Sequence, residues 1–410
     1  MTTLSEAEAL DAADPLAAMR ERFVLPDGTI YLDGNSLGAL PRATIAAQQD
    51  AVSRQWGEDL IASWNSNDWI GAPQRIGDKI APLIGANTGE VIATDSVSVN
   101  LFKLIVAATR LRPDRSEILT EPGNFPTDLY TADGAADILA GRRIRTENAD
   151  TIIDAIGHDT ALVMLTHVHY KTGHRHDMAA ITAAAHDAGA LVLWDLSHSV
   201  GAIAVDLGGC EADFAVGCGY KYLNGGPGAP AFLHVRRDLQ DAVLSPLTGW
   251  MGHAAPFEFR DDYEPAPGMT RFLCGTPPML SMLALETGLE QFADIAMPAL
   301  EAKSAALFEL FAEQIEARCA GHGLELVTSR DPAKRGSHIS YTHSDGWPIM
   351  QALIDRGVVG DFRAPDILRF GLTPLYLGYA DVWRAVEILA DILEKESWRD
   401  PRYAERKAVT

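Results

Sequence analysis

The stretch Leu191-Val192-Leu193-Trp194-Asp195-Leu196-Ser197-His198 decides the fold. Four large apolar residues run without a polar break and stop at a carboxylate. An uninterrupted apolar run this short, bounded by turn residues, is a strand covered on both faces. An alanine-rich helical pattern, Ala179 to Ala188, leads into it and ends at Gly189. Working outward, the alternation continues in both directions. Val91–Thr94, Glu117–Thr120, Arg143–Thr146 and Leu162–Thr166 read as strands, with helical patterns at Ser96–Leu111, Pro126–Leu139 and up to Ile156. Apolar runs at Asp213–Val216 and Ala229–Val235 flank the turn Gly219-Tyr220-Lys221-Tyr222-Leu223-Asn224-Gly225-Gly226-Pro227-Gly228. Strands alternating with helices make a mostly parallel sheet with helices on both faces.

In such sheets ligands gather where strands end, so the residues just after each strand carry the chemistry. Asp95-Ser96-Val97-Ser98 opens a helix, and the free N–H groups and positive dipole end there suit a phosphate as well as a simple cap. Phe125, before Pro126, offers either a staple to its helix or a flat face for a ring. His167, His169, His174 and His176 follow another strand. They sit at a strand end and a glycine turn, not at the spacings of a zinc site, and no metal is expected. Asp195 closes its strand, and Lys221 comes 26 residues later on the next unit. An apolar approach favours pairing this carboxylate with a buried cation. A desolvated lysine has a lowered pKa and forms Schiff bases. An acid to hold a pyridine nitrogen and a lysine to carry an aldehyde are what pyridoxal phosphate needs.

The bulk numbers narrow the alternatives. The chain of 410 residues has net charge −22, which argues against nucleic acid and anionic membranes as partners. No apolar run reaches the roughly 18 residues of a membrane span. Cys210, Cys218, Cys274 and Cys319 are scattered, as in a reducing compartment. Met1 to Met19 lack a cationic, apolar leader, so the expected location is the cytoplasm.

Elsewhere the reading is coarser. Residues 1 to about 28 form a helical lead-in, and Ile30–Leu32 a short strand running into the Asp33-Gly34-Asn35-Ser36 loop. Trp64 and Trp69, among polar residues, suit a pocket mouth or subunit interface. Toward the C-terminus, helices are expected at about Pro277–Phe292, Ala299–Ala320 and Ala380–Glu396, strands at Ser337–Thr342 and Val358–Val359, and a mobile tail from Asp400 to Thr410.

Three pieces, Asp195-Leu196-Ser197-His198-Ser199-Val200-Gly201, Gly219-Tyr220-Lys221-Tyr222-Leu223-Asn224 and Gly249-Trp250-Met251-Gly252-His253, closely resemble the kynureninase family. So do Leu32 to Gly38, Asn124 to Asp128, Tyr170 to Gly173 and Arg369 to Tyr376, in family order over about residues 28 to 380. The resemblance implies a pyridoxal-phosphate enzyme of the aminotransferase class V group. Its fold would be α/β, the PLP-dependent transferase fold type I. A large domain with a mostly parallel seven-stranded sheet covered by helices would join a smaller α+β C-terminal domain. The expected division is an N-terminal segment (1–60) packing with the small domain, a PLP-binding domain (61–275) and the small domain (276–410).

Position by position, the resemblance makes Lys221 the Schiff-base lysine and proton shuttle, Asp195 the partner of the pyridine nitrogen and His198 its neighbour. Phe125 would stack on the ring with Asp128 and Thr166 close by. Val97, Ser98 and Tyr220 would hold the phosphate, and Trp250 and Thr276 would reach it from the second subunit of a homodimer. Some relatives carry Asn in place of Thr276. Ser36, Trp64 and His253 would line the substrate side, and Arg369 would clamp the substrate's α-carboxylate. The implied reaction is hydrolysis of L-kynurenine, or its 3-hydroxy form, to the anthranilate and L-alanine, with Tyr220 as proton donor. The rival is a cysteine desulfurase-like or racemase-like relative. A desulfurase needs a nucleophilic cysteine late in the chain, and Ala320 to Thr410 has none.

Overall fold

The computed structural model describes residues 1–406. Seven strands build the large sheet: β1 (Val91–Ala93), β2 (Glu117–Thr120), β3 (Arg143–Thr146), β4 (Thr160–Thr166), β5 (Leu191–Asp195), β6 (Phe214–Gly217) and β7 (Phe232–Val235). Their spatial order is β1-β7-β6-β5-β4-β2-β3. β3, β2, β4, β5 and β6 pair in parallel, and β7 runs antiparallel to both its neighbours. Every residue of β4 and β5 is buried, because helices cover both faces. The apolar side chains accordingly fall into two clusters. Val163, Val192 and Trp194 belong to one, and Leu162, Leu191 and Leu193 to the other. The alternation along each strand splits them between the faces.

A second, antiparallel sheet lies C-terminal: β8 (Glu325–Leu326), β9 (His338–Thr342), β10 (Asp361–Arg363) and β11 (Ile367–Gly371), in the order β8-β9-β11-β10. Helices Met297–Arg318 and Tyr379–Glu394 pack together beside it. One face of β9 and β11 is apolar. The other carries His338, Ser340 and Arg369, all buried. Ser340 Oγ donates to the Lys171 carbonyl at 2.6 Å, so this polar face is turned toward the large sheet's loops.

The N-terminus is tied to the small sheet. The helix Leu4–Ala13 lies on Tyr379–Glu394. Asp11 accepts from the amides of Tyr379 and Ala380 at 2.6 and 3.0 Å, capping that helix. Ile30–Tyr31 pairs in parallel with Val358–Val359, and the Leu32 carbonyl accepts from Gly371 N at 2.6 Å. These bonds aim the Asp33–Gly38 loop at the ends of the large sheet's strands.

Three expectations change. The lead-in is a helix only to Ala13, followed by a 3-10 turn at Ala17–Arg22. Trp69 is a core residue: its Nε1 donates to Gln55 Oε1 at 2.7 Å, which satisfies the indole N–H and lets the ring bury. The expected tail is packed as far as it is described. Pro401–Tyr403 forms a turn, Tyr403 is buried with its hydroxyl donating to Asp355 at 2.8 Å, and Trp347 Nε1 donates to the Glu405 carbonyl at 3.1 Å. Residues 407–410 of that tail lie outside the described residues. Among the described residues, no helix is long and apolar enough to cross a membrane.

Candidate active site

Lys221 sits on a connection between β6 and β7 that doubles back on itself. Gly225 N donates to the Gly219 carbonyl and Asn224 N to that of Lys221, each at 2.9 Å. Asn224 adopts φ +56°, and Gly226 and Gly228 lie at +80° and +76°, backbone that asparagine and glycine tolerate best. The loop after Leu32 closes over this turn, with Gly38 N donating to the Tyr220 carbonyl at 2.8 Å. A Cβ on Gly38 would stand 2.2 Å from the Lys221 carbonyl oxygen and 2.8 Å from Asn224 Cα. Both are backbone atoms and cannot swing aside. Gly38→Ala is therefore expected to cost about 2 kcal/mol or more, as other overpacked sites do. Denaturant unfolding against the parent chain reads this directly.

The Lys221 side chain is 9% exposed. Its Nζ lies 3.0 Å from His198 Nε2, 5.8 Å from the Phe125 ring centre and 5.9 Å from that of Tyr220. Burial, then the charges of Lys221 and Arg369, hold His198 well below the usual imidazole range. It is thus neutral. With Lys221 donating to Nε2, the imidazole proton sits on Nδ1, a buried atom with no partner among the described residues.

Asp195, at the end of β5, accepts from Ser197 N at 2.7 Å. Asp128, at the start of helix Pro126–Ile138, is completely buried nearby. Burial, and then the charge of Asp195, push its carboxyl well above the ordinary range. Asp128 therefore keeps its proton beside Asp195. Thr166, at the end of β4, donates toward Asp128 Oδ2 at 3.3 Å and also bonds Asn124. The Phe125 ring meets Tyr170 edge-on at 5.2 Å and leaves its face toward Lys221.

A neighbouring cavity of about 520 Å³ is lined by Thr94, Asp95, Ser96, Tyr220, Gly228 and Thr276 among others. Asp95 is held at φ +49°, and Ser96 caps the helix Val97–Arg110 through Val99 N. The amides of Val97 and Ser98 belong to the first turn and have no intrahelical acceptor. Tyr220 lines this cavity and also faces Lys221. Burial raises its phenol pKa, and Cys218 adds to the shift, so the hydroxyl keeps its proton.

These residues fit pyridoxal phosphate. The fit shows in groups that the protein leaves unserved among the described residues: a buried lysine hydrogen-bonded to a neutral imidazole, a protonated carboxyl beside the carboxyl that ends β5, and Asp128 Oδ1 without a partner. The 520 Å³ cavity, with the start of helix Val97–Arg110 beside it, lies one tyrosine away.

On the small sheet, Arg369 is fully buried. It bonds Asp361 through Nε at 2.8 Å and through Nη2, Ser36 Oγ at 2.9 Å, and the Tyr170 carbonyl at 2.6 Å. Asp361 and Arg369 are direct cross-strand partners of β10 and β11. Other expected residues lie apart. Trp64 packs edge-on against Trp69 at 5.9 Å. His253 uses both ring nitrogens on the Asp262 carbonyl (3.1 Å) and the Ala255 amide (2.8 Å). Trp250 meets Phe257 at 5.8 Å. Among the described residues none of the three has a hydrogen bond or ring contact to the Lys221 group. Thr276 lines the 520 Å³ cavity of its own chain.

The four histidines do not act together. His176 pairs with Glu121 at 3.1 Å and His169 with the Gly123 carbonyl at 2.8 Å, while buried His167 is held down to about 3 by burial and the charge of Arg175. Among the described residues no three His, Cys, Asp or Glu side chains form a metal cage. Asp33, Asn124, Asp361 and Arg363 belong to the site or its rim and had no assigned role in the sequence. The pattern Asp361-x-Arg363 on one strand face, six residues before Arg369, was the available signal.

The chain is 52% identical over 416 residues to the kynureninase of Pseudomonas fluorescens, and 54% identical over 417 residues to that of Burkholderia pseudomallei strain 1106a. Each match spans 100% of both chains. The chain belongs to the kynureninase family. A family model described as the kynureninase C-terminal domain matches residues 300–389, the small sheet and its helices. Similar solved structures include the cysteine desulfurase CsdA from Escherichia coli (TM-score 0.77, 20% identity, 93% of this chain and 98% of that one). The apo cysteine desulfurase from Thermococcus onnurineus NA1 is another (TM-score 0.78, 19% identity, 92% and 98%). At that identity they show the fold, the type I architecture of pyridoxal-phosphate enzymes.

Proposed function

We infer that this site cleaves L-kynurenine hydrolytically between Cβ and Cγ, giving anthranilate and L-alanine, with pyridoxal 5'-phosphate as cofactor. The full-length identity of more than half to kynureninases carries the reading. The buried Lys221–His198–Asp195–Asp128 group gives it a chemical basis.

Bound pyridoxal phosphate supplies an electron sink for the pair left when a Cα proton is lost. Lys221 would hold its aldehyde, Phe125 would cover its ring, and Asp195 would face its nitrogen, with Asp128 kept protonated beside it. The amides of Val97 and Ser98 and the hydroxyls of Tyr220 and Thr276 would hold its phosphate. Lys221 then moves the proton at substrate Cα. A carboxylate partner would lock Nζ as an ammonium. The neutral His198 ring orients it in either charge state, which suits a group that must gain and lose a proton. Arg369 and Ser36 bind the α-carboxylate.

Tyr220 delivers a proton as the side-chain fragment departs, since its phenol stays protonated between the phosphate cavity and Lys221. Tyr220→Phe should lower kcat by about 10²-fold, at the low end for a positioned acid, while keeping bound cofactor. Near-normal turnover would remove Tyr220 from that role.

A second copy of the chain would complete the site. Trp250, Phe257 (63% exposed) and Phe259 (76% exposed) form an apolar surface of the kind that interfaces cover. Trp64, His253 and Trp250 would act from it, in a cytoplasmic homodimer. The rival thiol chemistry has poor support. Cys319 is buried at a helix end and burial pushes its thiol up to about 12, so it is not a thiolate nucleophile.

The test is product analysis. Holoprotein incubated with L-kynurenine should release anthranilate and alanine in equal amounts. Alanine from L-cysteine, with no anthranilate from kynurenine, would overturn the reading.

A further inference from the structure

Arg369 is poorly placed to grip a substrate carboxylate alone. The fork edge made by Nε and Nη2, which clasps carboxylates bidentately, is already on Asp361. Nη2 also serves Ser36 Oγ, and Nη1 gives one proton to the Tyr170 carbonyl. One N–H remains on a guanidinium that is 1% exposed.

Arg363 lies two residues from Asp361 on the same face of β10. Its Nη2 stands 2.6 Å from Asp361 Oδ2 and 3.2 Å from Ser36 Oγ. The two guanidinium groups therefore converge on one carboxylate oxygen and one hydroxyl. Among the described residues Arg363 Nε is buried without a partner, and the side chain is 35% exposed, against 1% for Arg369. Its charge bears on His198 and Tyr220 as well as on Asp33.

We propose that Arg363 is the free arm of a two-arginine clamp for the substrate's α-carboxylate, with Asp361 holding both guanidiniums in register. The assignment rests on the kynurenine reading above. Asp361 is necessary to it. Burial opposes its ionisation, but Arg369 and Arg363 overcome that and hold the carboxyl below its ordinary range. Its charge lets the two cations sit together, and one carboxylate cannot saturate both. The charge of the group also suits an incoming anion. Asp33 faces Asp361, Ser36, Arg369 and Arg363, and the phenols of Tyr31, Tyr222 and Tyr376. Burial, and then Asp361, push its carboxyl up to about 7. The phenols are raised and stay neutral. In the form with Asp33 protonated, which a carboxyl at about 7 holds about half the time near neutral pH, two arginines face one carboxylate and leave one positive charge for the substrate to neutralise. Arrival of a further carboxylate favours the protonated form of Asp33 still more.

The experiment compares L-kynurenine with its α-carboxamide in the parent holoenzyme, Arg363→Gln and Arg363→Lys. L-Alanine affinity is read separately from the cofactor absorbance. Removing a charged hydrogen-bond partner should raise the KM for kynurenine by about tenfold or more in Arg363→Gln, with kcat changed far less. Alanine affinity should fall in parallel, and Arg363→Lys should recover part of both. The carboxamide should lose nothing between parent and Arg363→Gln. An equal penalty on both substrates, or a loss confined to kcat with alanine affinity intact, would overturn the assignment. Unchanged cofactor absorbance and melting temperature show that each variant is folded. If the parent itself does not turn over kynurenine, the underlying reading fails, while alanine affinity still tests Arg363 as a carboxylate ligand.

Discussion

Lys221→Ala is expected to lose both turnover and the visible absorbance of the bound cofactor. Among the described residues no second lysine lies in hydrogen-bond contact with His198 Nε2, the atom 3.0 Å from Lys221 Nζ. The nearest rivals by burial are committed elsewhere: Lys103 to Asp95 and the Phe272 carbonyl, and Lys303 to Asp14. Removing the group that moves the Cα proton should cost about 10⁴-fold or more in kcat. The fold should survive, because trimming this side chain leaves the backbone bonds of Gly38, Asn224 and Gly225 in place. Normal absorbance in the variant would mean that a different lysine carries the cofactor.

Asp195→Asn is the second large effect. The substitution keeps the size of the side chain and the bond from Ser197 N at 2.7 Å. It removes the charge that Asp128 feels and that a protonated pyridine nitrogen needs. Activity should fall by about 10²-fold or more, the scale of a lost electrostatic stabiliser in a buried site. Asp128 should then ionise more easily, since after burial its neighbour's charge is the largest cause holding its carboxyl up. A change in the pH dependence of the residual activity reads that release. Full activity in Asp195→Asn would show that no charge at this position is used.

The large sheet was legible because β4 and β5 are short apolar runs between turns, and burial on both faces is written locally in such runs. Asp195 and Lys221 were legible for the same reason, each standing where an apolar run stops. The carboxylate clamp was not. Its geometry comes from the register that sets Asp361 opposite Arg369 and from a loop some 325 residues earlier that delivers Ser36 to Asp361. Strand register between separate elements is a long-range property that periodicity does not encode. β10 and β11 are interrupted by charges and gave no strand pattern. Trp69 misled for a related reason: its burial depends on one distant side chain, Gln55, that satisfies its N–H. The packed segment after Asp400 likewise depends on Asp355 and Trp347, which its own composition does not announce.

The most direct test of the central claim is chemical. Holoprotein reduced with borohydride, digested and analysed by mass spectrometry should carry the pyridoxyl group on the peptide containing Lys221. The group on Lys103, Lys171 or any other lysine, or on none, would contradict the site described here.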